Sequence, residues 1–427
     1  MNTLSRKIST HYKWVVAAAC FLMVFVCLGF CSSNKSIYVG AITDATGLSR
    51  SLFSVNDTIR FVVCAVVNIF FGSLIQKFGP KKLMLAGFIS LIGSMWLYSV
   101  ATKDMFWLFY VGGALLGIGT SFTTTATVGY IVGKWFQKSR GTVMGAILAA
   151  NGLGGAVAVQ IVSPIIYSGR FGYQAAYRLV VLILVIVAAV VLLLVKEQPS
   201  DAPKTPTTVA KKKPKGESWV GVPFAVARKK AFFYVALACV FFTGFMLQGI
   251  HGVAGTHMKY DVKLDEDYVT NLLSISSVVL TFSKFLTGAI FDKFGLRVTT
   301  IFCSVAAIIS MAALALISNS VLGNASAMVY GVVSALALPL ETIMLPLYAA
   351  DLFGEKDYGK MLGIFIAVNY AGYAVGSPVI NAVYDICHSY VPAFVFCAVL
   401  MVAVTVTMQF VINKAHSFRK TVVAQES

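Results

Sequence analysis

Five ionisable residues stand where water should be scarce. Lys35, Arg60 and Lys284, with Asp57 and Glu341, fall inside long apolar stretches of a chain of 427 residues. A charge at the centre of a membrane helix costs about 2.5–3.5 kcal/mol on insertion scales, so such residues usually face a cavity and serve a purpose. Here the cations outnumber the acids, which favours an anionic visitor. Lys284 is the strongest candidate. Ser277, Thr281, Lys284 and Gly288 fall on one stripe of a helix, and a polar stripe on an apolar helix lines water or another helix. A lysine ammonium has three donors and can hold a carboxylate in several poses. The alternative for Lys284 is a structural pairing with Glu341. Lys35, toward the outer half of the first span, would meet the anion first, or would snorkel to the headgroups. Asp57 and Arg60 are one turn apart and can pair on one face; the other reading makes Arg60 a direct ligand of the solute. Glu341 lies between Pro339 and Pro346, which disturb a helix and free carbonyls. It is a candidate proton carrier, as is Asp57, or else a charge partner for Lys284.

Uncharged candidates accompany them: Asn34 and Tyr38 on the first span, Tyr130 after Thr123, Thr124 and Thr127 on the fourth, Gln248 and His251 on the seventh, and Asn369, Tyr370 and Tyr373 on the eleventh. Each offers a hydrogen bond to a carboxylate or hydroxyl. For any one of them, bonding between helices is the plainer role.

The elements that must position these groups follow from composition. The chain is 58% hydrophobic and 12% charged, about half the charge of a soluble domain, so most of it belongs in lipid. Predominantly apolar stretches of about 20 residues read as transmembrane helices. Twelve are predicted, at 14–40, 50–75, 82–101, 106–133, 142–167, 176–195, 232–257, 268–291, 298–318, 325–352, 361–385 and 391–412. Residues 1–195 form one six-helix bundle and 231–427 another. Between them, 196–230 reads as a solvated basic linker, carrying Lys211, Lys212, Lys213 and Lys215.

The formal charge of +17 is explained by topology. Both termini and the links after spans 2, 4, 6, 8 and 10 hold 25 of the 34 Lys and Arg residues. The opposite side has only Arg50, Lys103, Arg170, Arg178, Lys259 and Lys263. Positive charge marks the cytoplasmic side, so both termini are expected there, with some attraction to anionic lipid and no nucleic-acid partner. The first apolar segment lacks a small-residue cleavage site and reads as a span, not a leader. The eight cysteines form no CxxC pair and read as small buried apolar side chains. No phosphate-binding loop, zinc spacing or Ser-His-Asp pattern stands in an extramembrane segment. Neither an enzyme, a cofactor nor a metal is therefore expected, and transport would be driven by a gradient.

The two halves repeat. Gly72, Gln76, Lys77, Phe78 and Gly79 match Gly288, Asp292, Lys293, Phe294 and Gly295 at a shift of 216. Tyr130, Gly141, Gly145, Asn151 and Gly154 match Tyr348, Gly359, Gly363, Asn369 and Gly372 at a shift of 218. Six spans per half make the copies parallel, related by an axis along the membrane normal, with a solute site near the midplane between them. Gly113/Gly117, Gly141/Gly145, Gly359/Gly363 and Gly372/Gly376 have the small-xxx-small spacing that lets helices approach closely.

These features resemble the major facilitator superfamily. The link after span 2, from Gly72 through Gln76-Lys77-Phe78-Gly79-Pro80-Lys81-Lys82, is similar to its Gly-x-x-x-Asp-Arg-x-Gly-Arg-Arg signature, and Gly288 through Asp292-Lys293-Phe294-Gly295-Leu296-Arg297 is a second copy. Gln76 replaces the usual Asp, which leaves Asp292 as the better gate. The resemblance implies gating roles for Lys77, Asp292, Lys293 and Arg297. It narrows toward the monocarboxylate transporters and oxalate:formate antiporters. Gly29-Phe30 with Lys35-Ser36-Ile37 is similar to their substrate-lysine segment. Trp135-Phe136, Arg140-Gly141 and Gly145 are close to their signature opening span 5, which adds Arg140 to the gate. Phe282-Ser283-Lys284 stands where they place a substrate-binding arginine. The helix-8 Asp of proton-coupled members falls on Leu280, and the helix-11 lysine of oxalate exchangers is missing near Asn369-Tyr370-Ala371.

The expectation is an all-α membrane protein of twelve helices in two pseudo-symmetric bundles. Its expected activity is secondary transport of small organic anions, a monocarboxylate first, by proton symport or anion exchange. A drug or metabolite exporter of the same fold is the alternative. A monomer in a bacterial inner membrane is the expected setting.

Overall fold

The computed structural model describes residues 3–33, 38, 41–42, 45–47, 50–136, 139–167, 172–195 and 221–426. Among them are helices and turns and no strand. Ten helical stretches are long and apolar enough to cross a membrane. Two of these, Val55–Val100 with 46 residues and Asn271–Ala315 with 45, hold twice the length one crossing needs. Each reverses at a glycine in a conformation that L side chains avoid: Gly79 (φ 77°, ψ 162°) and Gly295 (φ 78°, ψ −177°). The fold-back is visible in cross-helix contacts. Tyr98 Oη donates to Asn56 Oδ1 at 2.9 Å, and Thr287 Oγ1 lies 3.8 Å from Cys303 Sγ. Twelve crossings result.

The first bundle holds span 1 (Thr3–Val24, continuing as a π-helix over Phe25–Ser33), spans 2 and 3 (Arg50–Val100), span 4 (Trp107–Thr123 and Thr125–Trp135), span 5 (Arg140–Tyr167) and span 6 (Gly172–Leu194). The second holds span 7 (Ala231–Thr256, then a π-turn over His257–Asp261), spans 8 and 9 (Glu266–Ala315), span 10 (Val321–Ala337, then Met344–Phe353), span 11 (Tyr358–Cys387) and span 12 (Val391–Glu426). Span 10 breaks where its prolines predict. Leu338–Glu341 tightens to a 3₁₀ turn, which sets Glu341 at an interruption. Span 4 breaks at Thr124 (φ −126°, ψ −131°). There the hydroxyls of Thr120, Ser121, Thr123 and Thr124 donate to carbonyls four residues back, the kind of back-bonding that bends helices. Those hydroxyl hydrogens are engaged within their own helix.

Glycine contacts make the repeat visible in three dimensions. A Cβ at Gly288 would run into the Gly141 carbonyl, and one at Gly145 into the Lys284 carbonyl, where span 8 meets span 5. A Cβ at Gly72 would strike the Lys360 backbone, and one at Gly363 the Asn68 carbonyl, where span 2 meets span 11. The shifts of 216 and 218 carry one seam onto the other. Within each bundle Gly154 meets the Phe25 backbone and Gly372 the Phe241 backbone, again in register. With no side chain between them, the backbones pack directly.

The basic run at 211–215 lies outside the described residues. The end of the linker is anchored at two points, contrary to its composition. Val222 and Ala227 are buried, Val222 N–H donates to the Phe353 carbonyl at 3.0 Å, and Phe224 N–H donates to Asp357 Oδ2 at 2.8 Å. Docking of apolar side chains around a short helix, Phe224–Ala227, outweighs the charge of the neighbouring residues.

Gly295 isolates the value of the reversal. A Cβ there meets nothing within 4 Å, so Gly295→Ala adds only backbone strain, about 1–3 kcal/mol. The expected result is a drop of a few degrees in melting temperature by thermal unfolding of the purified protein.

Candidate functional site

Lys284 is 3% exposed and its ammonium crosses the seam between bundles. Nζ donates to the Leu148 carbonyl of span 5 at 3.3 Å. Among the described residues no ion pair reaches it. Its alternative partner, Glu341, lies near Tyr373 and Gln248 instead, with Oε1 buried and unbonded among the described residues. A buried ammonium with one carbonyl for company is poorly compensated, because unpaired charges are costly out of water. The equivalent of Lys284 in the first half is Asn68, 216 residues earlier. It is fully buried and its amide donates within its own bundle, to the Cys64 carbonyl (2.8 Å) and Ser121 Oγ (2.9 Å).

Arg60 and Asp57 share one pocket, walled by Cys31, Tyr38, Tyr98 and Tyr177. Arg60 is 9% exposed, its guanidinium lies 5.3 Å from the Phe61 ring, and its Nε is buried with no hydrogen-bond partner among the described residues. Tyr38 stacks on Tyr177 at 4.2 Å, its buried hydroxyl unbonded among the described residues. Across the span 2–span 11 contact, Phe61 stacks on Tyr370 at 6.1 Å and meets Tyr373 edge-on at 5.5 Å. Tyr370 and Tyr373 are themselves edge-to-face at 5.1 Å.

Other predicted residues fall elsewhere. Asn34 and Lys35 lie outside the described residues. Asn369 is buried, and its Nδ2 donates to the Val240 carbonyl at 3.2 Å, holding span 11 to span 7. Gln248 is half-buried beside Glu341, and His251, one turn on, is exposed. Tyr130 sits at the basic face, under Lys134 Nζ at 4.5 Å, in a pocket with Gln76, Arg140, Glu355 and Tyr358. It keeps company with the gate residues, not with Lys284.

The residues expected to gate gather at that face. Asp292, at the end of span 8, caps span 5: Oδ1 accepts from Gly141 N–H at 2.9 Å and Oδ2 from Thr142 N–H at 2.7 Å. A carboxylate at a helix N-terminus satisfies free donors and meets the positive end of the dipole. Arg140 reaches Glu355 at 3.9 Å and lies 4.4 Å over the Tyr358 ring, tying span 5 to the head of span 11. Lys77 and Lys293 lie over Phe78 and Phe294 at 5.3 and 5.1 Å, one arrangement in two copies. The Arg297 carbonyl accepts from Gln409 Nε2 at 3.3 Å. Sequence reasoning passed over Phe61, Asn68, Glu355 and Tyr358. Asn68 was within reach, since the repeat shift leads to it from Lys284.

The model of the Major Facilitator Superfamily matches residues 20–347 and 237–427 of this chain. An uncharacterised MFS-type transporter of Bacillus subtilis, YcxA, is 22% identical over 403 residues, 92% of this chain and 93% of its own. Monocarboxylate transporter 9 of the rat is 24% identical over 146 residues, 34% of this chain and 28% of its own. Among solved structures, the proton:xylose symporter XylE superposes with a TM-score of 0.71 at 15% identity, covering 95% of this chain and 96% of that one. The E. coli fucose:proton symporter FucP gives 0.66 at 15%, covering 92% and 98%.

Proposed function

The chain belongs to the major facilitator superfamily, and on that premise we propose that it is a secondary transporter of small organic anions, with a monocarboxylate as the preferred class. The observation that carries this reading is the Lys284 ammonium, buried between the bundles and held by one backbone carbonyl. An anion arriving there replaces a weak dipole with a full counter-charge. That gain depends on which face is open, and differential affinity of this kind drives a population shift. Arg60 supports the reading as a second buried cation with an unbonded donor.

The positive links support cytoplasmic termini; the reading takes the protein as a monomer in a bacterial inner membrane. The seams at Gly72 and Gly288 and the Asp292 cap then shut the cytoplasmic face, and the conformation is the outward-facing one of an alternating cycle. Lys77, Arg140, Lys293 and Arg297 belong to that gate. Glu341, buried at the span 10 interruption, is the proton carrier of a symport. Its Tyr373 contact supports this role, because loading a proton changes what that carboxyl can donate and accept.

The test is uptake of radiolabelled carboxylates into proteoliposomes. Accumulation of a monocarboxylate driven by an inward proton gradient, above protein-free vesicles, is the expected result. Accumulation driven only by an opposing internal carboxylate would assign exchange. No carboxylate flux in either arm would overturn the proposal.

A further inference from the structure

Two buried ionisable groups from opposite bundles flank one aromatic cluster, and each has an unbonded polar atom. On one side is Arg60, with Nε unpartnered; on the other is Glu341, with Oε1 unpartnered. Between them lie Phe61, Tyr370 and Tyr373, with ring centroids 5.1–6.1 Å apart. The chain of contact is continuous. The Arg60 guanidinium lies on Phe61, Phe61 packs on both tyrosines, and Tyr373 lies near Glu341. Both tyrosines and Phe61 are half-buried, so they keep open surface. No ion pair joins Arg60 to Glu341 among the described residues; the aromatic rings separate them.

Such an arrangement has three distinct demands. An arginine with a free donor takes a carboxylate. Half-open aromatic faces take a flat apolar body, offset-stacked or edge-on. A buried carboxyl oxygen without a donor takes a hydroxyl or amine hydrogen, because leaving it unmet is costly. We propose that the span 2–span 11 contact is a substrate subsite for aryl carboxylic acids that carry a hydrogen-bond donor at the far end of the ring. The carboxylate lies at Arg60, the ring on Phe61, Tyr370 and Tyr373, and the donor at Glu341 Oε1. This rests on the anion-transporter reading and narrows its substrate class. Rocking the bundles apart along spans 2 and 11 splits the subsite, since Arg60 and Phe61 move with one half and the tyrosines and Glu341 with the other. Bound substrate therefore reports on closure.

The test is equilibrium binding to the purified full chain in detergent, with three matched probes: 4-hydroxyphenylacetate, 4-methylphenylacetate and acetate. The 4-hydroxy acid is expected to bind about tenfold more tightly than its methyl isostere, as one buried hydrogen bond commands, and acetate more weakly than both. Glu341→Leu should abolish the hydroxyl preference while leaving 4-methylphenylacetate affinity within about twofold. If that variant does not fold, Glu341→Gln, judged by its melting curve, should cut the preference at least threefold. Arg60→Gln should weaken both aryl acids alike. Equal affinity for the two aryl acids, or a preference untouched by both Glu341 variants, overturns the subsite. In those cases measurable carboxylate binding leaves the transporter reading standing; no binding or flux of any carboxylate removes both.

Discussion

Lys284→Gln is expected to lower carboxylate uptake by about a hundredfold or more while leaving expression and melting temperature near those of the parent. The magnitude follows from what the side chain does. A charge-assisted bond to a carboxylate in a water-poor site is about twice as strong as a neutral one, and losing it is felt in full, because the solute's own charge is then left unmatched. The protein loses little by the change. The ammonium makes one bond, to the Leu148 carbonyl at 3.3 Å, and an amide can make it as well. Removing a buried charge that has no acid partner relieves the fold, so Lys284→Gln should melt at or above the parental temperature. Uptake in proteoliposomes and thermal unfolding are measured on the same preparation. Undiminished uptake removes the central residue of the proposed mechanism. A large loss of stability would show instead that Lys284 is structural.

The second large effect is at the seam. Gly288→Val places side-chain carbon where the Gly141 backbone lies, with Thr142 Cα close behind at 3.1 Å. Backbone cannot swing aside as a flexible side chain does, and overpacking costs about 1–3 kcal/mol even in forgiving cores. Spans 5 and 8 must separate, and Asp292 then loses the Gly141 and Thr142 donors that it holds at 2.9 and 2.7 Å. The closed basic face becomes the minor state; a shift of about 3 kcal/mol inverts a population by roughly a hundredfold. Spin labels at Ser139→Cys and Lys293→Cys should move apart by several ångströms on average in a pulsed dipolar measurement, and net uptake should fall close to background. An unchanged distance would mean that the seam is not what closes this face. Gly295→Ala, with open space around its Cβ, is the matching control for loss of a glycine without a clash.

The sequence carried the architecture further than the chemistry. Twelve crossings, the parallel repeat and the span 10 break follow from hydropathy, the 216 and 218 shifts, and two prolines, because each is a local or periodic signal. The linker was legible in its middle and not at its end. Val222 and Phe224 look like part of a polar tether until the Phe353 carbonyl and Asp357 receive their N–H groups. The polar candidates were harder to sort. Asn369 and the span 4 threonines carry the same side chains as solute ligands, yet they bond backbone carbonyls. Only packing distinguishes the two roles. Conversely, Phe61 was invisible among 31 phenylalanines, since nothing in its neighbours along the chain announces that it will meet Tyr370 and Tyr373.

The reciprocal glycine seams bear on ancestry. Each seam joins two residues of the first half to two of the second, and exchanging the halves turns one seam into the other. A shorter forerunner of six crossings could have formed both at once, as a pair of identical molecules. The residue now split into Asn68 and Lys284 would then have occurred twice about a single axis. Two ammonium groups in that dry interior would repel. In this chain the two copies differ: Asn68 keeps its amide turned into its own bundle, and Lys284 reaches across the seam to the Leu148 carbonyl.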